Sequence, residues 1–320
     1  MAVLPQVSID TVQFGTPAAD TLNGGPTNDL IHAGAGADTV NGQAGQDVLY
    51  GDRGADIVNG GAGNDTLVWN NGDGSDTLSG GSGTDTLVAE SGNTGETFTL
   101  NTDTGNLILA RTSSPAFQLS LQQVEHIDLW SQGGDDRLTV GDLSGTPVTQ
   151  VHFHGGTGDD RVTASASSTP LVAEGESGND TLTGGSGSDQ LHGGAGNDVL
   201  RGGSGNDWLR GDTGNDTLNG GNGRDVLEGG SGNDQLTGGA GRDAFVFSPN
   251  EGSDTVRDFT SGTDSIVLKG FTGTTGQPAT FADLTGHITT TGGDSVIDLG
   301  NTTITVSNVT TLTQSDFVFV

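Results

Sequence analysis

The chain has 320 residues, 30% of them hydrophobic, with 58 glycines, no cysteine and a formal net charge of −31. A chain this polar, charged and glycine-rich stays disordered unless something offsets the entropy of ordering it. Ten basic residues (Lys269 the only lysine) against 41 acids exclude a phosphate-reading face for nucleic acid or anionic membrane, and the lack of cysteine excludes disulfides, thiolate metal sites and cysteine nucleophiles.

Residues 1–14 form a lead-in. MAVLPQVSID has neither a basic start nor an apolar core, so a Sec signal peptide is not expected, and no run reaches the ~18 apolar residues of a membrane span. Residues 15–89 hold a first repeat array. Asp20, Asp29, Asp38, Asp47, Asp56 and Asp65 recur nine residues apart, and Asp76 and Asp85 follow after an insertion of two. Two residues after each acid stands an apolar residue: Leu22, Ile31, Val40, Leu49, Val58, Leu67, Leu78 and Leu87. This array is worn. Pro17, Ala18 and Ala19 erode its first unit, Thr27 occupies a glycine position, and Ala33, Gln43 and Asp52 replace leading glycines.

Residues 90–174 lose the period but keep apolar alternation. NLILA, FQLSL, VEHIDLW and VTQVHFH read as strands. Between them lie repeat-like turns, Gly133-Gly134-Asp135-Asp136 before Leu138 and Gly155-Gly156-Thr157-Gly158-Asp159-Asp160 before Val162. The stretch predicts wider solenoid rungs bridging two arrays; a separate sandwich domain is the competing reading. His152 and His154 alternate along a strand and share a face. With His126 on a neighbouring rung they offer three imidazoles to a metal, against the plainer reading of exposed strand histidines.

Residues 175–247 carry the cleanest array. Its acids are Asp180, Asp189, Asp198, Asp207, Asp216, Asp225, Asp234 and Asp243, and its apolar positions are Leu182, Leu191, Leu200, Leu209, Leu218, Leu227, Leu236 and Phe245. Asp212 departs from the glycine pattern and adds a carboxylate. Each unit predicts a six-residue turn ending in Asp, then three extended residues with the apolar one in the middle. Glycines supply the positive φ of the turn, and their density excludes helices. A strand this short buries nothing alone, but two facing stacks make a thin leucine core. Residues 248–320 predict a β cap: Phe245, Phe247, Phe259, Ile266, Leu268 and Phe271 gather at the end of the array, and SVIDLGN, TITVSN and SDFVFV alternate.

The unit GGxGxDxUx, with U a large apolar residue, is a signature of calcium-binding parallel β-helices. Over both arrays, about half its length, the chain resembles the RTX (repeats-in-toxin) or hemolysin-type calcium-binding proteins. The resemblance implies an all-β fold, a right-handed parallel β-roll or β-solenoid in which two nonapeptides make one turn and calcium sits between turns on each side. It makes the sixteen array acids ligands, and adds Asp136 and Asp160, which stand at the family's acid position. It also implies an extracellular, secreted or surface-associated protein, exported by a Gram-negative type I ABC transporter that reads an uncleaved C-terminal signal such as the ending DFVFV.

Elementary electrostatics agrees with calcium. Stacked rungs lie about 4.8 Å apart, and two carboxylates at that spacing repel by about 1 kcal/mol in water and about 3–4 kcal/mol near a protein surface. A divalent ion between rungs reverses the sign. The donors are hard oxygens, which suit Ca²⁺ with its 6–8 ligands better than Mg²⁺ or zinc. Counting the gaps on each side gives ~12 ions, each with several oxygen ligands. No EF-hand loop is present.

An enzyme is not indicated. H-E-x-x-H, G-x-S-x-G and P-loop motifs are absent, and no catalytic domain is expected ahead of an array that begins near residue 15. The reading favoured is a non-enzymatic calcium-binding exported protein with a surface, matrix or adhesion role. The alternative is a polysaccharide-modifying enzyme, or its carbohydrate-binding module, using residues 90–174, paired acids such as Asp159 and Asp160, or sugar stacking on Trp69, Trp130 and Trp208.

Overall fold

A strand of three to six residues leaves its backbone edges unpaired, so it persists only when stacked on copies of itself. That is the architecture of the computed structural model, which describes residues 7–103, 105–272 and 279–320. Residues 1–6 of the lead-in and 273–278 of the cap thus lie outside the described residues. Strands make up nearly all the regular structure; the helical pieces among the described residues are Phe281–Leu284 and the 3-10 turn Gln314–Asp316. None is long and apolar enough to cross a membrane. The chain divides into two units, the first running to Gly158 with Val162–Val172, the second comprising Asp159–Arg161 and Ala173–Val320. Each is a parallel β-solenoid.

In the first unit, strands Thr11–Phe14, Asp29–His32, Val48–Tyr50, Thr66–Asn70, Thr86–Glu90, His126–Trp130 and Gln150–His154 stack in parallel as one sheet. Thr21–Asn23, Thr39–Ala44, Ile57–Ala62 and Thr77–Ser82 stack as the other. Successive nonapeptides alternate between sheets, so equivalent residues in one sheet are eighteen apart, and twenty apart across the insertion before Asp76. Residues 97–122 depart from the solenoid path. Asn106–Arg111 pairs antiparallel with Thr97–Asp103 on one side and Phe117–Gln122 on the other, while Phe117–Gln122 lies parallel on Thr77–Ser82 and Thr97–Asp103 on Arg137–Val140. This excursion stays on the core because its alternate residues Phe98, Leu100, Leu109 and Leu119 are fully buried.

In the second unit, Gln190–Ala195, Trp208–Thr213, Val226–Ser231, Ala244–Phe247, Ser265–Leu268 and Phe317–Phe319 form one parallel stack. Thr181–Thr183, Val199–Ser204, Thr217–Gly223, Gln235–Gly241, Gly252–Val256 and Thr302–Val306 form the other. Leu182, Leu200, Leu218 and Leu236 from the second stack and Leu191, Leu209, Leu227 and Phe245 from the first are all fully buried. Each contributes about 1.5–3 kcal/mol by leaving water, and one such side chain per strand makes a thin core. At its C-terminal end Thr302–Val306 pairs antiparallel with Asp294–Asp298, which pairs with Ile288–Thr291. Phe247, Phe259, Ile266, Leu268, Ile304 and Val306 are buried there, while Phe271 remains half-buried.

Most of the strands run longer than three residues. Val199–Ser204 continues through its glycine pair, with Gly203 in register with Gly221 and Leu200 with Leu218. Bare Cα atoms permit this, since neighbouring turns approach too closely for side chains. At Gly223, where φ is +141°, a Cβ would overlap the carbonyl oxygen of Gly205. Gly223→Ala should therefore cost about 1–3 kcal/mol, read as a lower urea midpoint in calcium. Asn222→Ala, at the adjacent exposed position, should stay within about 0.5 kcal/mol of the parent.

Candidate metal centre

The turn around Asp207 shows how each acid is used. Its Oδ1 accepts the amide of Asp189 at 2.8 Å, and its own amide donates to Asp225 Oδ1 at 2.9 Å. The same link joins Asp20 to Asp38, Asp29 to Asp47, Asp38 to Asp56, Asp47 to Asp65, Asp56 to Asp76 and Asp65 to Asp85 in the first unit. In the second it joins Asp160 to Asp180, Asp180 to Asp198, Asp198 to Asp216, Asp216 to Asp234 and Asp225 to Asp243. A second ladder runs the other way. The amides of Asn197, Asn215 and Asn233 donate to the side-chain oxygens of Asn179, Asn197 and Asn215 at 2.8–3.0 Å. Each turn is thus tied to both its neighbours by side chains that accept from backbone.

The second carboxylate oxygen faces into the turn. Oδ2 of Asp38, Asp47, Asp56, Asp65 and Asp85, and of Asp180, Asp198, Asp207, Asp216, Asp225 and Asp243, is buried without a hydrogen-bond partner. For Asp47, Asp65, Asp180, Asp207, Asp216 and Asp225 it lies over the first glycine of its own turn, beside the first-glycine carbonyl of the next turn in the stack. A Cβ on Gly202 would overlap Asp207 Oδ2 and come within 2.6 Å of Gly220 O; Gly42 stands likewise under Asp47 Oδ2 and Gly60 O. In these turns the bare glycine leaves this space to oxygen. A buried ionised oxygen without a partner is costly, so the site calls for a proton or a cation. Carboxylate and carbonyl oxygens together are the donor set that a hard divalent ion such as Ca²⁺ takes.

Burial outweighs the amide hydrogen bond and pushes these carboxyls up. Asp65, Asp76, Asp180, Asp207 and Asp216 rise from 3.8 to about 7, through desolvation first and like-charged neighbours in the stack as well. Asp243 rises to about 6 and Asp254 to about 8 for the same two reasons.

The array acids, with Asp136 and Asp160, are all buried except Asp20. Asp20 is turned to its own loop, where the amide and hydroxyl of Thr16 hold it below the usual carboxylate range. Asp29 Oδ2 accepts the Gly25 amide at 2.6 Å, as Asp189 Oδ2 accepts that of Gly185 at 2.7 Å. The glycine replacements keep the turn: Gln43, Asp52 and Asp212 all adopt positive φ, at 78°, 58° and 72°. Four acids outside the repeats join the ladder. The amides of Asp85, Glu96, Asp234 and Asp243 donate to Glu125 Oε2, Asp136 Oδ1, Asp254 Oδ1 and Asp264 Oδ1. Their signal was present in the sequence. Glu96, Glu125, Asp254 and Asp264 each precede Phe98, Ile127, Val256 or Ile266 by two residues, the offset of the repeat.

The grouping of three imidazoles is corrected. His126 is in register with Gln150, and the residue beside His152 is Asp128. Sugar stacking is also corrected for Trp69, which is buried with its indole donating to Gly74 O at 3.0 Å. One face of Trp130 is taken by His154, ring centroids 3.6 Å apart, and Trp208 is exposed at its edge contact with His192.

Fold and site define a parallel β-solenoid with acid-lined glycine turns. The family model of the RTX calcium-binding nonapeptide repeat (four copies) matches residues 14–49, 36–67, 71–94, 174–209 and 210–245. The chain belongs to the RTX calcium-binding nonapeptide-repeat proteins, and its repeats are calcium-binding repeats. No curated protein matches it. Among solved structures it is similar to the extracellular lipase LipA from Serratia marcescens at 20% identity and a TM-score of 0.34, over 98% of this chain and 40% of that one. The chain spans well under half of that lipase, and the likeness carries no argument about activity.

The raised carboxyls set the pH dependence of the metal-free protein. A group whose pKa rises on folding stabilises the fold below its unfolded value, and that contribution is lost as pH climbs through the folded value. For Asp65, Asp76, Asp180, Asp207 and Asp216 the window runs from 3.8 to about 7. In chelator, thermal midpoints should fall between about pH 4 and about pH 7; in calcium, which needs the ionised form, they should rise over the same range. A midpoint that rises with pH in chelator would contradict the assignment.

Proposed function

We propose that the turn carboxylates hold calcium along both arrays and that at neutral pH the chain folds only when calcium fills them. The ligands are Asp38, Asp47, Asp56, Asp65, Asp76 and Asp85 in the first array, and Asp180, Asp189, Asp198, Asp207, Asp216, Asp225, Asp234 and Asp243 in the second, with Asp29, Asp136 and Asp160 at their margins. The observation that carries this reading is the row of buried, partnerless Oδ2 atoms in register with glycine carbonyls. A bound ion supplies the positive charge that lets them stay ionised and adds its binding free energy to folding. The protein's own residues do the rest: Oδ1 fixes the carboxylate by accepting the preceding turn's amide, and in most turns a bare first glycine keeps the space open.

Calcium titration followed by far-ultraviolet circular dichroism tests this. In chelator at neutral pH most β signal should vanish; millimolar Ca²⁺ should restore it and Mg²⁺ should not. Asp207→Asn, which keeps the Oδ1 hydrogen bond and removes the charge, should raise the calcium midpoint several-fold. A spectrum unchanged in excess chelator would overturn the reading.

The same coupling suits an exported protein with a role at a surface or in a matrix. An acidic, glycine-rich chain stays unfolded where free calcium is scarce, passes a type I transporter, and folds outside. The C-terminal strands support this as a segment with its own tight contacts. Burial alone would raise the Asp316 carboxyl, but hydrogen bonds from Thr313, Gly262 and Ser261 hold it below its usual value, and Phe317–Phe319 pairs with Ser265–Leu268. Deleting residues 260–320 should abolish secretion from a host with a matching type I system. Undiminished export of that truncation would exclude the route and leave calcium binding standing.

A further inference from the structure

One cluster of metal-ligating side chains lies apart from the glycine turns, on the outer face of the first unit. Strands His126–Trp130 and Gln150–His154 pair in parallel with Asp128 beside His152 and Trp130 beside His154. Ile127, Leu129, Val151 and Phe153 point into the core, so the alternate residues Asp128, Trp130, His152 and His154 project together from the opposite face. His154 Nε2 is 3.1 Å from Asp128 Oδ1, and His152 Nδ1 is 3.9 Å from the same oxygen. One ligand atom from each of the three lies within 4.8 Å of the other two.

The chemistry differs from that of the turns. Imidazole nitrogen is a poor ligand for calcium, which takes oxygen, and a good one for zinc and its neighbours in the first transition row. A tetrahedral ion with donors at about 2.0–2.2 Å needs those donors roughly 3.4 Å apart. The His154–Asp128 separation is already close to that range, and the half-exposed His152 ring lies beside them. Trp130 makes the frame rigid, its indole lying 15° from parallel against the His154 ring. His154 itself is buried, with 7% of its surface exposed.

We propose that Asp128, His152 and His154 form a site for a borderline-soft divalent transition ion, with zinc the natural occupant. The ion takes two imidazoles and one carboxylate from these three residues. The site is independent of the calcium turns in ligand type.

The test uses calcium-saturated full-length protein, so that the solenoid is folded throughout, and Co²⁺ as a coloured probe that zinc displaces. One equivalent of Co²⁺ should give visible ligand-field bands and quench Trp130 fluorescence; Zn²⁺ should reverse both and further calcium should not. Trp130→Phe should remove the quenching and keep the bands. His154→Asn and His152→Gln should each weaken Co²⁺ binding by more than about 100-fold, the upper end of what changes behind a ligand cost. His126→Ala and His192→Ala should leave it unchanged. Absence of bands in the calcium-loaded parent overturns the proposal, whatever the variants do. So does displacement of Co²⁺ by calcium, or binding that survives His152→Gln or is lost in His126→Ala. Circular dichroism in calcium identifies any variant that fails to fold, and the Trp130→Phe and parent titrations then decide.

Discussion

The interaction on which the rest depends is the hydrogen bond from one aspartate's amide to the Oδ1 of the aspartate one turn further on. It fixes the carboxylate, and with it the position of Oδ2. Without that bond a short Asp on a glycine turn takes a local partner instead, as Asp20 does by turning to Thr16. With it, every acid is drawn inward and stacked on its like. The fold places its largest electrostatic cost at regular intervals along its own length, where a core with one leucine per strand does little to offset it. A cation that bridges turns therefore acts on the fold as a whole.

The asparagine ladder clarifies why the position before the acid is so often Asn in the second array. Asn179, Asn197, Asn215 and Asn233 accept from the next turn's amide, opposite in direction to the aspartates. The backbone of the turn has few partners of its own, being glycine and sharply bent, and these two side chains satisfy it from both sides. In the first array Gln46 and Thr84 stand at that position. Their amides still reach Asn28 and Asn64, but they have no Asn side chain to offer onward.

Much of this was legible in the sequence because a nine-residue period constrains both geometry and chemistry. The buried Leu and the buried Asp follow from alternation and register alone. The two-residue insertion before Asp76 leaves the ladder intact. What the period could not reach was the part of the chain where it lapses. Glu96 and Glu125 sit forty residues from their partners, beyond any local window, because an antiparallel excursion intervenes. The pairing of Asp128 with His152 depends on the register of two strands joined by a long connection, and alternation within each strand leaves that register open by two. Alternation pointed to His126; the backbone ladder selected Asp128.

The direction of the two side-chain ladders limits how such a chain can change its length. Equivalent turns lie eighteen residues apart, so gain or loss of a whole eighteen-residue segment leaves every carboxylate beside a carboxylate and every strand in its own sheet. A single nonapeptide does not have this freedom. Adding one would send each later strand to the opposite sheet and turn every following acid to the other side, with all its neighbours exchanged. Duplication and slippage in the encoding sequence are therefore tolerated in pairs, and an inherited array of this kind grows or shrinks by full circuits of the backbone.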